Sequence, residues 1–189
     1  MNRLFSTATA AYCVLLIAQK PVTGQNSAIT SPLVERGGIR LTLGGAQTIL
    51  HGAIEQANAM GLKVNITVVD EGGHPIAFAR MDGARSASSY TSMTKAVAAA
   101  TLRQPTGPVP PGVEEPDTLL NLSLQLTSSA SGGKVTTLYG GVPVIVEGQI
   151  IGGVGVGGAT GEQDAEIARA GIARLLDQLN ASGNESDGD

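Results

Sequence analysis

The stretch from Tyr139 to Asp164, YGGVPVIVEGQIIGGVGVGGATGEQD, decides the fold. Val142 to Val146 is apolar and rich in β-branched residues, Glu147-Gly148 is a tight turn, and Gln149 to Val156 is a second strand, so the segment is a hairpin. Within it, Gly153-Val-Gly155-Val-Gly157-Gly158 carries the G-x-G-x-x-G spacing of dinucleotide-binding folds. Such a fold needs the glycines after the first strand of a βαβ unit, with an acidic residue closing the next parallel strand. Here the strand is the second arm of a hairpin, and only one helix, Glu162 to Leu179, follows it. A nucleotide-binding unit is therefore excluded. Two readings of the glycines stay open. They bring backbone and helix N–H groups to a polar ligand, or they let the strand pack closely on a helix.

Outward from this hairpin, the same pattern recurs. Lys63 to Asp70 (KVNITVVD) and Pro75 to Arg80 (PIAFAR) are strand-like and flank the turn Glu71-Gly72-Gly73-His74, which predicts a second hairpin with Ile76, Phe78 and Arg80 on one face. Thr42 caps a helix to about Met60, with Leu43, Ala46, Ile49, Leu50, Ala53, Ile54, Ala57 and Met60 on its apolar stripe, His51 on its polar side, and Gly61 as its stop. Ser86 to Leu102 is a helix whose apolar side holds Tyr90, Met93, Ala96, Val97 and Ala100. Gln104 to Asp117, with five prolines, is an ordered loop. Thr118 to Leu126 fits a short helix, Ser128 to Lys134 a flexible link and Val135 to Leu138 a further strand. The order α, hairpin, α, loop, hairpin, α predicts an α+β fold, an antiparallel sheet of two hairpins flanked by helices.

The 189 residues suit one domain. Arg3 followed by the uncharged run Ala8 to Ala18 (ATAAYCVLLIA) has the form of a signal peptide, with cleavage expected after Gly24, and the run is too short to span a bilayer. The expected organisation is a signal peptide over 1–24, a flexible lead-in over 25–40, the domain over 41–180 and a disordered tail over 181–189. The protein is thus expected to be exported, periplasmic or extracellular. Cys13, the only cysteine, would leave with the leader, so the mature domain would have no disulfide and would rely on its core or on oligomerisation. Loss of Arg3 and Lys20 leaves 10 basic against 16 acidic residues, a net of −6, which argues against nucleic acid and against stable membrane insertion.

Among residues able to carry chemistry, two histidines in different elements give no structural zinc site, and neither a P-loop nor a G-x-S-x-G elbow is present. Asp70 ends a strand, Arg80 and Asp82 follow one, Lys95 sits in an alanine-rich helix, and Gln163 with Asp164 opens the last helix. Each fits an N-cap or an ion pair as well as a ligand contact, and all lie at element ends, where ligand sites concentrate. His51 and His74 fit surface positions, or ligands to haem iron where an oligomer covers them.

Together, LTLGGAQTILHGAIEQANAMG, VVDEGGHPIAFARMDGA, TKAVAAA with the downstream PTG, and YGGVPVIVEGQIIGGVGVGGATGEQDAEIA resemble the GlcG/HbpS-like family of haem-degrading proteins, a module also found at the C-terminus of PduO-type proteins. The likeness runs from Leu41 to Leu179. It implies an antiparallel sheet flanked by helices, assembly from dimers up to octamers, and haem binding in some members. The family pattern falls on Asp70, Gly73, Arg80, Asp82, Lys95, Thr106 and Gly140, and then on Gly141, Pro143, Gly152, Gly155, Gly158, Gln163 and Asp164. The chain departs from it at Val97 to Ala99, where a threonine is usual, and at Gly157, where a serine is usual.

The resemblance implies an exported haem-binding protein in haem sensing, transfer or degradation. Lys95 and Arg80 would pair the propionates and Thr106, His51 or His74 would approach the iron. Gly141, Gly155, Gly158, Gln163 and Asp164 would line the ligand pocket. Two other classes stay open. One is a lyase or isomerase acting on an oxygenated carboxylate, with Asp70, Asp82 or Asp164 as base. The other is a ligand-free structural oligomer.

Overall fold

A computed structural model describes residues 37–109 and 112–186. The expectations for 1–24 and for most of the lead-in lie outside the described residues. The elements are α1 (Leu43–Ala59), β1 (Asn65–Asp70), β2 (Pro75–Arg80), α2 (Ser88–Leu102), α3 (Thr118–Ala130), β3 (Gly141–Val146), β4 (Gln149–Gly157) and α4 (Gly161–Ser186). The two hairpins lie side by side in one four-stranded sheet of order β2-β1-β4-β3, with every pairing antiparallel. Between the hairpins Asn65 faces Gly157 and Asp70 faces Gly152. This is the α+β architecture that the strand pattern predicts.

Alternation along β1 sorts its side chains between two layers. Ile66 and Val68 enter the main core with Ile49, Val144, Val154, Val156, Ile167 and Leu175, beneath α1 and α4. Thr67 and Val69 face α2 on the other side, where the Thr67 and Ser92 hydroxyls are 2.9 Å apart and Val69 packs with Ala96, Val97 and Ala100. The Thr42 hydroxyl accepts from Gly45 N and caps α1.

Glycines Gly153, Gly155 and Gly157 occupy every second position of β4, on the α2 side. A Cβ at Gly155 would lie 2.0 Å from Ser92 O, at Gly153 2.4 Å from Ala96 O, and at Gly157 2.7 Å from Ser88 O. The strand meets the helix backbone itself. Ser88, Ser92, Ala96 and Ala100, four apart in sequence, present the matching face of α2. The close-packing reading of these glycines therefore holds, and Gly155 is not a pocket residue, because helix fills the space its side chain would take.

Four local expectations change. Val135 to Leu138 joins no ladder, since Leu138 N bonds back to Thr136 Oγ1 and Leu138 O is taken by the Thr106 hydroxyl. Tyr90 is exposed rather than part of the α2 core. Helix α3 runs on to Ala130, through part of the expected link. Helix α4 continues through Ser186, so the segment expected to be a tail is helical to that point, and 187–189 lie outside the described residues. No helix among the described residues is long and apolar enough to cross a membrane.

Candidate functional site

Two places gather chemistry, at opposite ends of β1. At one end, helix α2 turns a lysine inward. Lys95 is 4% exposed, and its Nζ donates to Val156 O at 2.8 Å and to Asp164 Oδ2 at 2.7 Å. Asp164 is 1% exposed, and its other oxygen accepts from Ala159 N at 3.1 Å. Burial pushes the Asp164 carboxyl above its ordinary value, although the Lys95 ammonium, Ala159 N and the Arg85 charge all work the other way. Gly140, at φ +113, passes so close that a Cβ would lie 2.6 Å from Asp164 Cβ and 2.9 Å from Lys95 Nζ. The pair thus joins α2, β4, the Gly140 corner and the start of α4.

Above it lies a cleft of about 540 Å³, walled by the first half of α2, the start of α4 and the segment through Tyr139. Of the expected residues it gathers Lys95, Gly158 and Asp164. Gln163 stands just outside, with its side chain accepting from Thr160 N while its own N–H is received by the Thr160 hydroxyl, a reciprocal cap on α4. Thr106 and Gly141 lie behind the cleft. The Thr106 hydroxyl donates to Leu138 O at 2.6 Å and accepts from Gly141 N at 2.9 Å, so its proton and one of its two lone pairs are used within the protein. Lys95 gives two of its three N–H groups to Val156 O and Asp164, and its charge is already answered by that carboxylate. Gly141 is closed off, since a Cβ there would lie 2.4 Å from Lys95 O.

At the other end of β1, Asp70 Oδ1 accepts from Gly72 N at 2.9 Å, from His74 N at 2.8 Å and from His74 Nδ1 at 3.2 Å. Partial burial opposes the charge on Asp70, but the two backbone bonds and the neighbouring imidazole outweigh it and hold its carboxyl below the usual 3.8. A lowered value stabilises the fold above the ordinary aspartate pKa and is lost as pH falls through the lowered one. An ionised carboxylate only accepts, so Nδ1 of His74 donates, and in the neutral ring Nε2 keeps its lone pair. The His74 side chain is 81% exposed. Asp70 is thus spent on the turn rather than poised as a base.

Arg80, paired with Asn65, and Asp82 lie exposed around the far end of β2. His51 is exposed on α1, across the sheet from α2. Residue patterns did not single out Arg85, Ser88, Thr91, Tyr139 or Glu162, which line the cleft. The one signal for Tyr139 was its place before Gly140-Gly141.

A family model described as haem degrading protein HbpS-like matches residues 41–173. Protein GlcG of Escherichia coli strain K12 is 42% identical over 111 residues, covering 59% of this chain and 76% of its own. The crystal structure of Klebsiella pneumoniae protein ORFY superposes with a TM-score of 0.65 at 30% identity, over 77% of this chain and 98% of its own. The crystal structure of a PduOC:heme complex superposes with a TM-score of 0.60 at 30% identity, over 72% and 95%. On the match over 41–173 and these likenesses, the chain belongs to the HbpS-like family.

Proposed function

We propose that this chain is an exported haem-binding protein and that His74 is the side chain prepared to ligate the iron. The likeness to a PduOC structure solved with haem supports the ligand class. The observation that carries the site is the Asp70–His74 hydrogen bond. A ligating imidazole is usually oriented through its other nitrogen by a carboxylate, which fixes the tautomer and raises basicity. His74 has that arrangement, with Nε2 open to solvent. Among the described residues His51 has no comparable partner, and the Thr106 hydroxyl already bridges Leu138 O and Gly141 N. The donor set therefore fits haem at His74. When bound, haem supplies an iron with a further coordination position, which suits sensing, transfer or degradation. The chain's own part is to hold the imidazole in place through Asp70.

Haemin titration of the purified protein, followed at the Soret band, tests this. A saturable shift is expected, abolished in His74→Ala and weakened about 10–100-fold in Asp70→Asn, while His51→Ala and Thr106→Ser keep it. Retention of the full shift in His74→Ala would remove His74 from the reading.

Export rests on the apolar run Ala8 to Ala18 behind Arg3. N-terminal sequencing of protein recovered from outside the cytoplasm should start at Gln25, and retention of the chain in the cytoplasm with Met1 intact would sink the export reading.

Self-association rests on α3, no residue of which is buried. Leu119, Leu122 and Leu126, spaced as one helix face, are all exposed, and the helix contains no charged residue. Copies of a mature chain with 10 basic against 16 acidic residues, a net of −6, repel one another least through an uncharged face, so the occupant proposed for this surface is a second copy. Light scattering should give a multiple of the chain mass that falls in Leu119→Glu/Leu122→Glu. A monomeric parent protein would refute it.

A further inference from the structure

The cleft beside Lys95 belongs to neither the Asp70–His74 turn nor the α3 surface. It lies past the opposite end of β1, about 17 Å away by strand rise. Three features mark it as built to receive something. First, Ser88 is only 6% exposed and lines the cleft, yet its hydroxyl has no hydrogen-bond partner among the described residues. Among the described residues the sealed side-chain polar atom without a partner is Asn65 Oδ1, so the Ser88 hydroxyl, on a residue that lines the cleft, is not closed off. A hydroxyl at the wall of an open cleft, with no partner in the protein, is free to donate to a bound acceptor.

Second, the Tyr139 ring is seated by two glycines. A Cβ at Gly107 would fall 2.4 Å from Tyr139 Cε1 and one at Gly161 2.5 Å from Tyr139 Cβ. Any larger residue on either side would displace the ring, so a flat aromatic wall is fixed in advance. Third, the charges are sorted by depth. Lys95 and Asp164 answer each other at the floor. The Arg85 guanidinium lines the cleft from an exposed position and forms no ion pair among the described residues. Glu162, also at the rim, sits in the first turn of α4, where the helix end offsets its charge.

We propose that this cleft binds a small carboxylate with a flat apolar body, its carboxylate held by Arg85 and the Ser88 hydroxyl and its body laid against Tyr139. Arg85 offers the planar fork that matches a carboxylate. The Lys95–Asp164 pair acts as a positioning floor that keeps α2 and α4, and so the two walls, in register. A cleft of about 540 Å³ suits a ligand of this size. Phosphate shares the oxyanion but not the flat body, and the two probes separate them.

Calorimetric titration of the full chain with phenylacetate should give saturable binding at one per chain. Arg85→Ala, an exposed position, and Ser88→Ala should each weaken it about 10-fold, and Tyr139→Ser should weaken phenylacetate more than phosphate, with circular dichroism unchanged. Haemin titration of Arg85→Ala should match the parent protein, which separates this site from His74. Absence of phenylacetate binding at millimolar concentration, binding that survives both Arg85→Ala and Ser88→Ala, or binding of phosphate alone would each overturn the proposal.

Discussion

Replacing Asp164 by Leu, with Lys95 left in place, is expected to cost about 3–5 kcal/mol of stability. The loss should grow as the pH falls. Lys95 is 4% exposed and would keep only Val156 O as a partner. Burial without a counter-charge disfavours its ammonium, so the folded state binds the proton less tightly than the unfolded chain does. Lys95→Met should behave in the opposite sense. Asp164, now alone at 1% exposure, would take up a proton, and with its folded pKa raised the variant should gain stability as the pH is lowered from neutral. The double variant Lys95→Met/Asp164→Leu, which leaves no unmatched charge, should recover most of the loss. Urea unfolding of the three variants between acid and neutral pH measures all of this. Two single variants with the same pH slope would show that the pair does not act as a charge couple in the interior.

Gly155→Ala is expected to cost about 3 kcal/mol or more, at the upper end of overpacking effects. The new methyl would lie 2.0 Å from Ser92 O and 2.4 Å from Ala96 N, both backbone atoms that no rotamer change can move. Relief requires lifting α2 off the sheet. That would disturb Thr67–Ser92 and the Lys95 contacts together, so the cleft should suffer along with the fold. Gly38→Ala is the control. Its nearest neighbour would be a side-chain oxygen 3.9 Å away, and its midpoint in urea should stay close to the parent. A Gly155→Ala midpoint equal to that of Gly38→Ala would mean the helix does not rest on the strand as described.

The two hairpins were legible because alternation and turn residues are local signals, and β2 begins and ends where the pattern places it. That the hairpins build one antiparallel sheet followed from the order of the elements, but their junction through β1 and β4 carries no local signal. The role of the glycines was not legible. Close approach and ligand approach demand the same missing side chain, and only the arrival of Ser92 and Ala96 from a remote segment decides between them. Tyr90 misled for a related reason. Helical period puts it on the flank that carries Met93 and Val97, but no described element covers that flank one turn earlier. Lys95 and Asp164 stood out singly, as charges at element ends, and their pairing across 69 positions could not. Arg85 and Ser88 gave no signal, and Tyr139 only its place before Gly140-Gly141, because their positions relative to one another are set by tertiary packing alone. His74 and Asp70 share one short turn, yet the hydrogen bond that fixes the ring depends on the turn geometry rather than on residue identity.

The stacked approach of β4 and α2 also sets two rulers against each other. Alternate strand residues advance about 6.7 Å, while residues four apart on a helix advance about 6.0 Å. The scales differ by about 0.7 Å per step, so from Gly153 to Gly157 the mismatch grows to roughly 1.4 Å, which the three contacts still absorb. A fourth glycine in the series would fall out of phase, and a slip of the helix along the strand finds no matching notch short of a whole step. The ladder behaves as a vernier with one coincident setting, which gives α2 a single axial position that the Thr67–Ser92 and Lys95–Asp164 contacts then hold.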